Sequence, residues 1–304
     1  MKNIGPIPWL PEGRIVSVPD RGEFFVRYFQ HADPSAPTLL LLHGWTASSD
    51  VQFFTAYEEL AQHYSFVGID HRGHGRGIRP TRTFSLEECA DDAAAVVRVL
   101  GINRVITVGY SMGGPISLFV AQRHTELVSA MVLQATSLEW RATKQERALW
   151  ALMRGASPLL RRLNTPRILQ SRLQGMMPKV GAVRSYVPWL IGEIRRNDTF
   201  IVSKAGEALS KYDARPWAGQ LKKPTAYVLT TDDQLVKTEK QQQLIETLNA
   251  QVITLEGDHF VTLGRPEAYS AATRAAVLLV EQHARLVHPP SRQVFLSGRA
   301  IRPW

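Results

Sequence analysis

Two hydrophobic periodicities alternate along this chain. Gly13–Val18 and Glu23–Gln30 alternate apolar with polar positions around Asp20-Arg21-Gly22, which predicts an opening β-hairpin. Thr38–Leu42 is continuously apolar, as in a strand buried on both faces. Val51–His63 returns Phe54, Tyr57, Leu60 and Ala61 at helical spacing. Ser65–Asp70 predicts a further strand. Ser85–Leu100 reads as a helix, capped by Ser85 with Glu88 three residues on and ended by Gly101. Val105–Gly109 and Val128–Gln134 predict strands on either side of another helix. Strands resume at Thr225 and Gln251, each followed by a helix, the last over Pro266–His283. Strand and helix in alternation predict an α/β fold with a mostly parallel central sheet flanked by helices and joined by right-handed crossovers.

The alternation stops between Ser137 and Leu221. Two helical stretches, Lys144–Arg154 and Arg161–Met177, are broken by Gly155, Pro158 and Pro166, and a third covers Asn197–Tyr212. The chain therefore divides into a core of residues 1–136 and 222–285, an inserted helical segment over 137–221, and a basic C-terminal tail over 286–304 containing Pro289-Pro290. A length of 304 residues suits one large α/β domain with an inserted lobe better than two separate domains.

Candidate chemistry sits at strand ends. Val105–Val108 runs into Gly109-Tyr110-Ser111-Met112-Gly113-Gly114 and then into the helix-like Pro115–Ala121. A G-x-S-x-G between strand and helix is the nucleophile-elbow pattern, which lifts a serine hydroxyl above the end of a sheet. Glycines on both sides let the backbone turn sharply, and Pro115 suits the first helical turn. A serine nucleophile needs a base, and the base needs an orienting acid. Asp232-Asp233 follows the apolar run Thr225–Leu229, and Gly257-Asp258-His259 follows Gln251–Leu255. In a parallel sheet both groups would lie on the same rim as Ser111. Of the nine histidines, His259 alone occupies such a position.

On these residues the chain resembles the α/β-hydrolase-fold serine hydrolases of the esterase and lactonase type, from about Gly13 to about Gln282. Leu39–Trp45 is similar to the family's strand ending in His-Gly-aromatic, Ile69–Gly75 to its Asp-x-Arg-Gly-x-Gly loop, and Gly257–Phe260 to its Gly-x-His-Phe ending. Thr230 and Gly77 depart from the family's usual glycine and serine. The resemblance implies a Ser111–His259–Asp233 triad, with Asp233 preferred to Asp232 because Gln234-Leu235-Val236 follows it at the family's spacing. Glu139 is the alternative acid. It further implies oxyanion donors in the Trp45 and Met112 N–H groups, Trp45 and Tyr110 as pocket walls, and 137–221 as a helical cap over Ser111. The implied activity is cleavage of a carboxylic ester or lactone through an acyl-enzyme, with no cofactor and no metal. A carbon–carbon bond hydrolase acting on ring-fission diketones and a non-catalytic hydrolase-fold receptor remain the alternatives.

Composition narrows the setting. Hydrophobic residues make up 44% and charged residues 21%, as in a soluble globular protein. Met1–Pro8 lacks the apolar core of a secretory signal, and no stretch of 18 apolar residues predicts a membrane span. The lone Cys89 excludes an internal disulfide, so a cytoplasmic location is expected. The formal charge is +9, and residues 139–215 carry all of it, with 15 Lys/Arg against 6 Asp/Glu. A solvated basic face explains this surplus. The sharper reading is peripheral contact with anionic lipid or attraction of an anionic substrate. The basic residues lack the aromatic interleaving of a nucleic-acid surface, so the expected partner is a small ester or lactone, with homo-oligomerisation left open. His43, His71 and His74 beside Asp70 lie on Gly-rich loops rather than on one rigid face, which argues against a metal site. Apolar residues of the insertion, among them Trp150, Met153, Met177 and Trp189, are candidates for an acyl pocket.

Overall fold

A computed structural model of the chain describes residues 6–79, 84–141, 143–144, 146–148, 150, 166–179 and 181–287. Strands β1 (Glu12–Val18) and β2 (Gly22–Phe29) form the opening hairpin, with Asp20 and Gly22 at positive φ in its turn. Next come β3 (Thr38–Leu42), the short helices α1 (Ser49–Phe53) and α2 (Tyr57–Ala61), and β4 (Ser65–Ile69). Helix α3 (Leu86–Val99) follows, then β5 (Val105–Tyr110), α4 (Gly113–Arg123) and β6 (Val128–Gln134). The strands form one 8-stranded sheet in the order β1-β2-β4-β3-β5-β6-β7-β8, where β7 is Thr225–Thr230 and β8 is Gln251–Leu255. Within this sheet, among the described residues, the β1–β2 and β2–β4 pairings are antiparallel and β3 to β8 run parallel.

The period of two in the leucine run explains how the sheet is covered. Leu40 and Leu42 point into one apolar layer with Val96, Ile116 and Leu118, whereas Leu39 and Leu41 point into the other with Phe53, Tyr57 and Tyr269. All four leucines are fully buried, each worth about 1.5–3 kcal/mol of transfer free energy. Helix α3 starts where its pattern predicts: the Ser85 hydroxyl accepts from the Glu88 N–H at 3.0 Å. Cys89 is buried on this helix, and burial pushes its thiol pKa well up, so it acts as packing.

The stretch Val51–His63 is two helices rather than one. Phe53, Phe54, Ala56 and Tyr57 are all buried, which is more than one helical face can bury, and the chain breaks between Phe53 and Tyr57 to accommodate them. Between β6 and β7 lie helices α5 (Pro166–Met176), α6 (Val187–Ile194) and α7 (Thr199–Lys211). Asp198 caps α7, accepting from Phe200 and Ile201 N–H. Trp189 and Met177 are buried in the layer that holds Phe54, so they pack the protein's interior. The residues predicted helical over 151–165, Met153 included, and the tail beyond Val287 lie outside the described residues. Helix α8 (Thr238–Leu248) follows β7; α9 (Val261–Gly264) and α10 (Pro266–Val287) close the chain after β8. No helix among the described residues is long and apolar enough to cross a membrane.

Candidate active site

The carboxyl ends of β3, β5, β7 and β8 converge on one rim of the sheet, the usual ligand face of a parallel α/β sheet. At the end of β5, Ser111 has φ +51°, a strained conformation of order 1–3 kcal/mol. Three hydrogen bonds hold it: Ser111 N–H to Gln134 O at 2.9 Å, Gly114 N–H to Ser111 O at 2.8 Å, and the Thr136 hydroxyl to Ser111 O at 2.8 Å. The flanking glycines are needed because chains pass very close. A Cβ on Gly113 would lie 1.9 Å from Leu42 O, and one on Gly109 would lie 2.3 Å from Gly113 O.

Ser111 Oγ lies 3.0 Å from His259 Nε2, and His259 Nδ1 lies 2.7 Å from Asp233 Oδ2. A carboxylate can only accept, so Nδ1 carries the proton and Nε2 is left to accept from the serine hydroxyl. Asp233 is itself fixed: Oδ1 accepts from the Leu235 and Val236 N–H groups at 2.9 and 2.8 Å, and the Thr230 hydroxyl donates to Oδ2 at 3.1 Å. The threonine that departs from the family's usual glycine thus supplies a further donor to this carboxylate. Buried Gln241 braces the same loop, donating to Val236 O at 2.7 Å and accepting from Thr230 N–H at 3.1 Å. The neighbouring Asp232 is exposed, and Glu139 is buried against Lys240 Nζ at 2.7 Å; neither is brought to His259.

The Trp45 turn lies against the serine, since a Cβ on Gly44 would be 3.3 Å from Ser111 Cβ. Among the described residues neither Trp45 N–H nor Met112 N–H has a protein acceptor, so both are free to donate. The Trp45 ring is half-buried beside Trp150, centroids 5.7 Å apart. Tyr110 differs from the pocket wall expected of it. It is 3% exposed, its ring packs on Tyr269, and its hydroxyl donates to the main-chain carbonyl of His259 at 2.9 Å. Its place is under the histidine loop, as a brace.

The histidine cluster is buried. His43 Nδ1 donates to Gly44 O at 2.8 Å and Nε2 accepts from His71 N–H at 2.9 Å, so both of its nitrogens are engaged. Burial lowers His71 to about 3 and His74 to about 4, keeping both neutral at pH 7. Asp70 is raised to about 7 by burial and by the nearby Asp50. Among the described residues no group of three or more His, Cys, Asp or Glu side chains converges as a metal site.

Residues 37–165 match the family described as alpha/beta hydrolase fold. A putative carbamate hydrolase, RutD, of Rhizobium rhizogenes is 27% identical over 78% of this chain and 91% of its own length. The bifunctional esterase/perhydrolase DCH of Acinetobacter calcoaceticus is 35% identical over 32% of this chain and 36% of its own. Curated relatives at 30–35% identity align over about 35–40% of their length. Among solved structures, an esterase from Exiguobacterium antarcticum superposes with a TM-score of 0.74 at 19% identity, covering 89% of this chain and 100% of that one. The chain has the alpha/beta hydrolase fold.

Proposed function

We propose that the protein is a serine hydrolase that cleaves a carboxylic ester or lactone. The observation that carries this reading is the unbroken relay from Asp233 through His259 to Ser111 Oγ, at 2.7 and 3.0 Å, beside two unengaged N–H groups. Ser111 Oγ attacks the carbonyl carbon as its proton passes to His259 Nε2. The oxyanion accepts from the Trp45 and Met112 N–H groups, and Asp233 stabilises the imidazolium. Collapse breaks the bond to the leaving oxygen, which takes the proton from His259 and leaves an acyl-Ser111. Water then attacks with His259 again as base, releasing the acid. In a lactone the leaving alcohol stays tethered to the acyl group. Every step uses groups of this chain, so the reading requires no cofactor. The similarity to an esterase/perhydrolase and to an esterase structure supports acyl transfer. Residues 137–221 would form the cap over Ser111, and Trp45 beside Trp150 would line the substrate's approach.

The test is Ser111→Ala. Turnover of p-nitrophenyl acetate should fall by about 10³-fold or more, and a fluorophosphonate should label the wild type at Ser111 alone. A folded Ser111→Ala variant with undiminished turnover would sink the assignment. Turnover of ring-fission diketones in preference to esters and lactones would move it to carbon–carbon hydrolysis.

A further inference from the structure

The inserted segment grips the turn that carries the Trp45 N–H. Asn197, between α6 and α7, spans two loops of the core: its Oδ1 accepts from Gly75 N–H at 2.7 Å, and its Nδ2 donates to Thr46 O at 2.6 Å. Both ends of the amide are engaged, which fixes its orientation. Thr46 has φ +66°, and a β-branched residue in that region is a true outlier that relaxes unless its surroundings hold it. The next-door ring is held from the same side. Trp45 Nε1 donates to Val202 O of α7 at 2.7 Å, and Gly206 leaves room for the indole, where a Cβ would meet the ring at 2.6 Å. The core's own bonds to this turn reach Gly44 and Ala47 and leave the Thr46 carbonyl to the insertion: His43 Nδ1 donates to Gly44 O at 2.8 Å. Ala47 N–H reaches Gly44 O at 3.3 Å, and Gly44 N–H reaches Gln52 Oε1 at 3.4 Å. Neighbouring contacts dock the same stretch of the insertion: Asp198 N–H to Gly73 O at 2.8 Å, and Arg76 to both carboxylate oxygens of Glu193 at 2.6 and 2.7 Å.

We propose that Asn197 is a positioning residue for catalysis: by holding the Thr46 carbonyl it keeps a strained turn in the form that aims the Trp45 N–H at the oxyanion beside Ser111. The proposal rests on the hydrolase reading and adds that the oxyanion donor is set by the insertion rather than by the core alone. Without the clamp, Thr46 returns to negative φ and the Trp45–Thr46 peptide rotates; Trp45 turns with it, and its N–H, on the preceding Gly44–Trp45 peptide, swings off the developing charge. Substrate binding should be little affected, because the donor acts mainly on the transition state.

Asn197→Asp isolates the effect. It keeps an acceptor for Gly75 N–H and sets a carboxylate oxygen against the Thr46 carbonyl. With p-nitrophenyl acetate, kcat should fall about 10- to 100-fold with KM within about 2-fold. Phenylboronic acid, whose serine adduct carries the oxyanion, should bind more weakly by a similar factor. Adding Thr46→Gly should recover most of kcat, because glycine adopts positive φ without steric cost. Amide hydrogen exchange over residues 44–48 should speed up in Asn197→Asp, a readout independent of catalysis. Unchanged kcat and exchange in a folded Asn197→Asp variant would overturn the proposal, as would a kcat loss that Thr46→Gly fails to recover. If the variant does not fold, Asn197→Ala, which simply removes the bridge, carries the same comparison. A wild type that hydrolyses no ester while exchange still responds would overturn the hydrolase reading and leave the clamp standing.

Discussion

Asp233→Asn changes one oxygen for an NH2 group, and the hydrogen bonds around that side chain dictate which way the new amide must face. Oδ1 faces two main-chain donors, Leu235 N–H at 2.9 Å and Val236 N–H at 2.8 Å. Only an oxygen satisfies them, and turning the amide NH2 toward them would strand both, at about 1–3 kcal/mol for the buried Val236 N–H alone. The amide oxygen therefore takes the place of Oδ1, and the NH2 takes the place of Oδ2, 2.7 Å from His259 Nδ1. His259 must then accept at Nδ1, so its proton moves to Nε2 and meets the Ser111 hydroxyl. The base is lost although no atom has moved far. A wrong tautomer of this kind costs about 10⁴ in kcat, or about 5 kcal/mol of barrier at about 1.4 kcal/mol per decade. Stability should change by less than about 1 kcal/mol, because both main-chain donors keep an acceptor and the Thr230 hydroxyl, which loses Oδ2, has Gln241 Oε1 at 3.3 Å to turn to. The assay is p-nitrophenyl acetate turnover alongside urea unfolding, with Asp232→Asn as control. Asp232 is exposed, and its substitution should leave turnover intact and stability within about 0.5 kcal/mol. A folded Asp233→Asn variant that keeps kcat within about tenfold, or an equal loss in Asp232→Asn, would refute the reasoning.

Tyr110→Phe removes the bond to the His259 carbonyl and should lower kcat by about 2- to 10-fold with little effect on KM; a rise in KM alone would make the ring a pocket wall after all. Gly113→Ala drives a methyl into the Leu42 carbonyl and should cost about 3 kcal/mol or more together with activity, whereas a variant melting within a degree or two of wild type would refute the packing argument. His71, lowered to about 3, and His74, lowered to about 4, bind fewer protons folded than unfolded, so the stability they contribute is present above about pH 6.5 and lost as pH falls toward 4, by about 3 kcal/mol each. Asp70, raised to about 7, works in the opposite sense, its contribution being largest at low pH and lost as pH rises through 7, so it offsets about one histidine. Urea midpoints should therefore fall between pH 7 and pH 4.5, and His74→Leu should flatten the fall; a slope unaltered by that substitution would refute it.

The core was legible in the sequence because its signals are local. Leu39–Leu42 announces a doubly covered strand, Ser85 with Glu88 announces a helix start, and the glycines around Ser111 announce a sharp turn. The break between Phe53 and Tyr57 was not legible. The apolar positions fit one helix on paper, and only the sheet beneath them demands that more than one face be buried. Tyr110 was readable as an aromatic near the nucleophile, but its partner is a main-chain carbonyl 149 residues away, and backbone partners leave no trace in side-chain identity. Asn197 and Thr46 are 151 residues apart, polar and in loops, so neither periodicity nor spacing connects them. Thr230 did carry a signal, as a departure from the expected glycine. Its meaning needed the Asp233 geometry.

Strands β6 and β7 are hydrogen-bonded neighbours although roughly 90 residues, 135–224, run between them. The entropy of closing such a loop grows only with the logarithm of its length, so halving it would gain the sheet about 0.6 kcal/mol. The sheet is thus nearly indifferent to how much chain is threaded through this gap. Under the proposed cap reading, exchanging this one contiguous stretch is the way to alter substrate range without redesigning the sheet. The transplant is constrained at its contacts rather than by its size: on the proposed clamp, an incoming segment that presents no donor to the Thr46 carbonyl and no acceptor to the Trp45 indole is expected to leave a recipient that folds but has lost turnover.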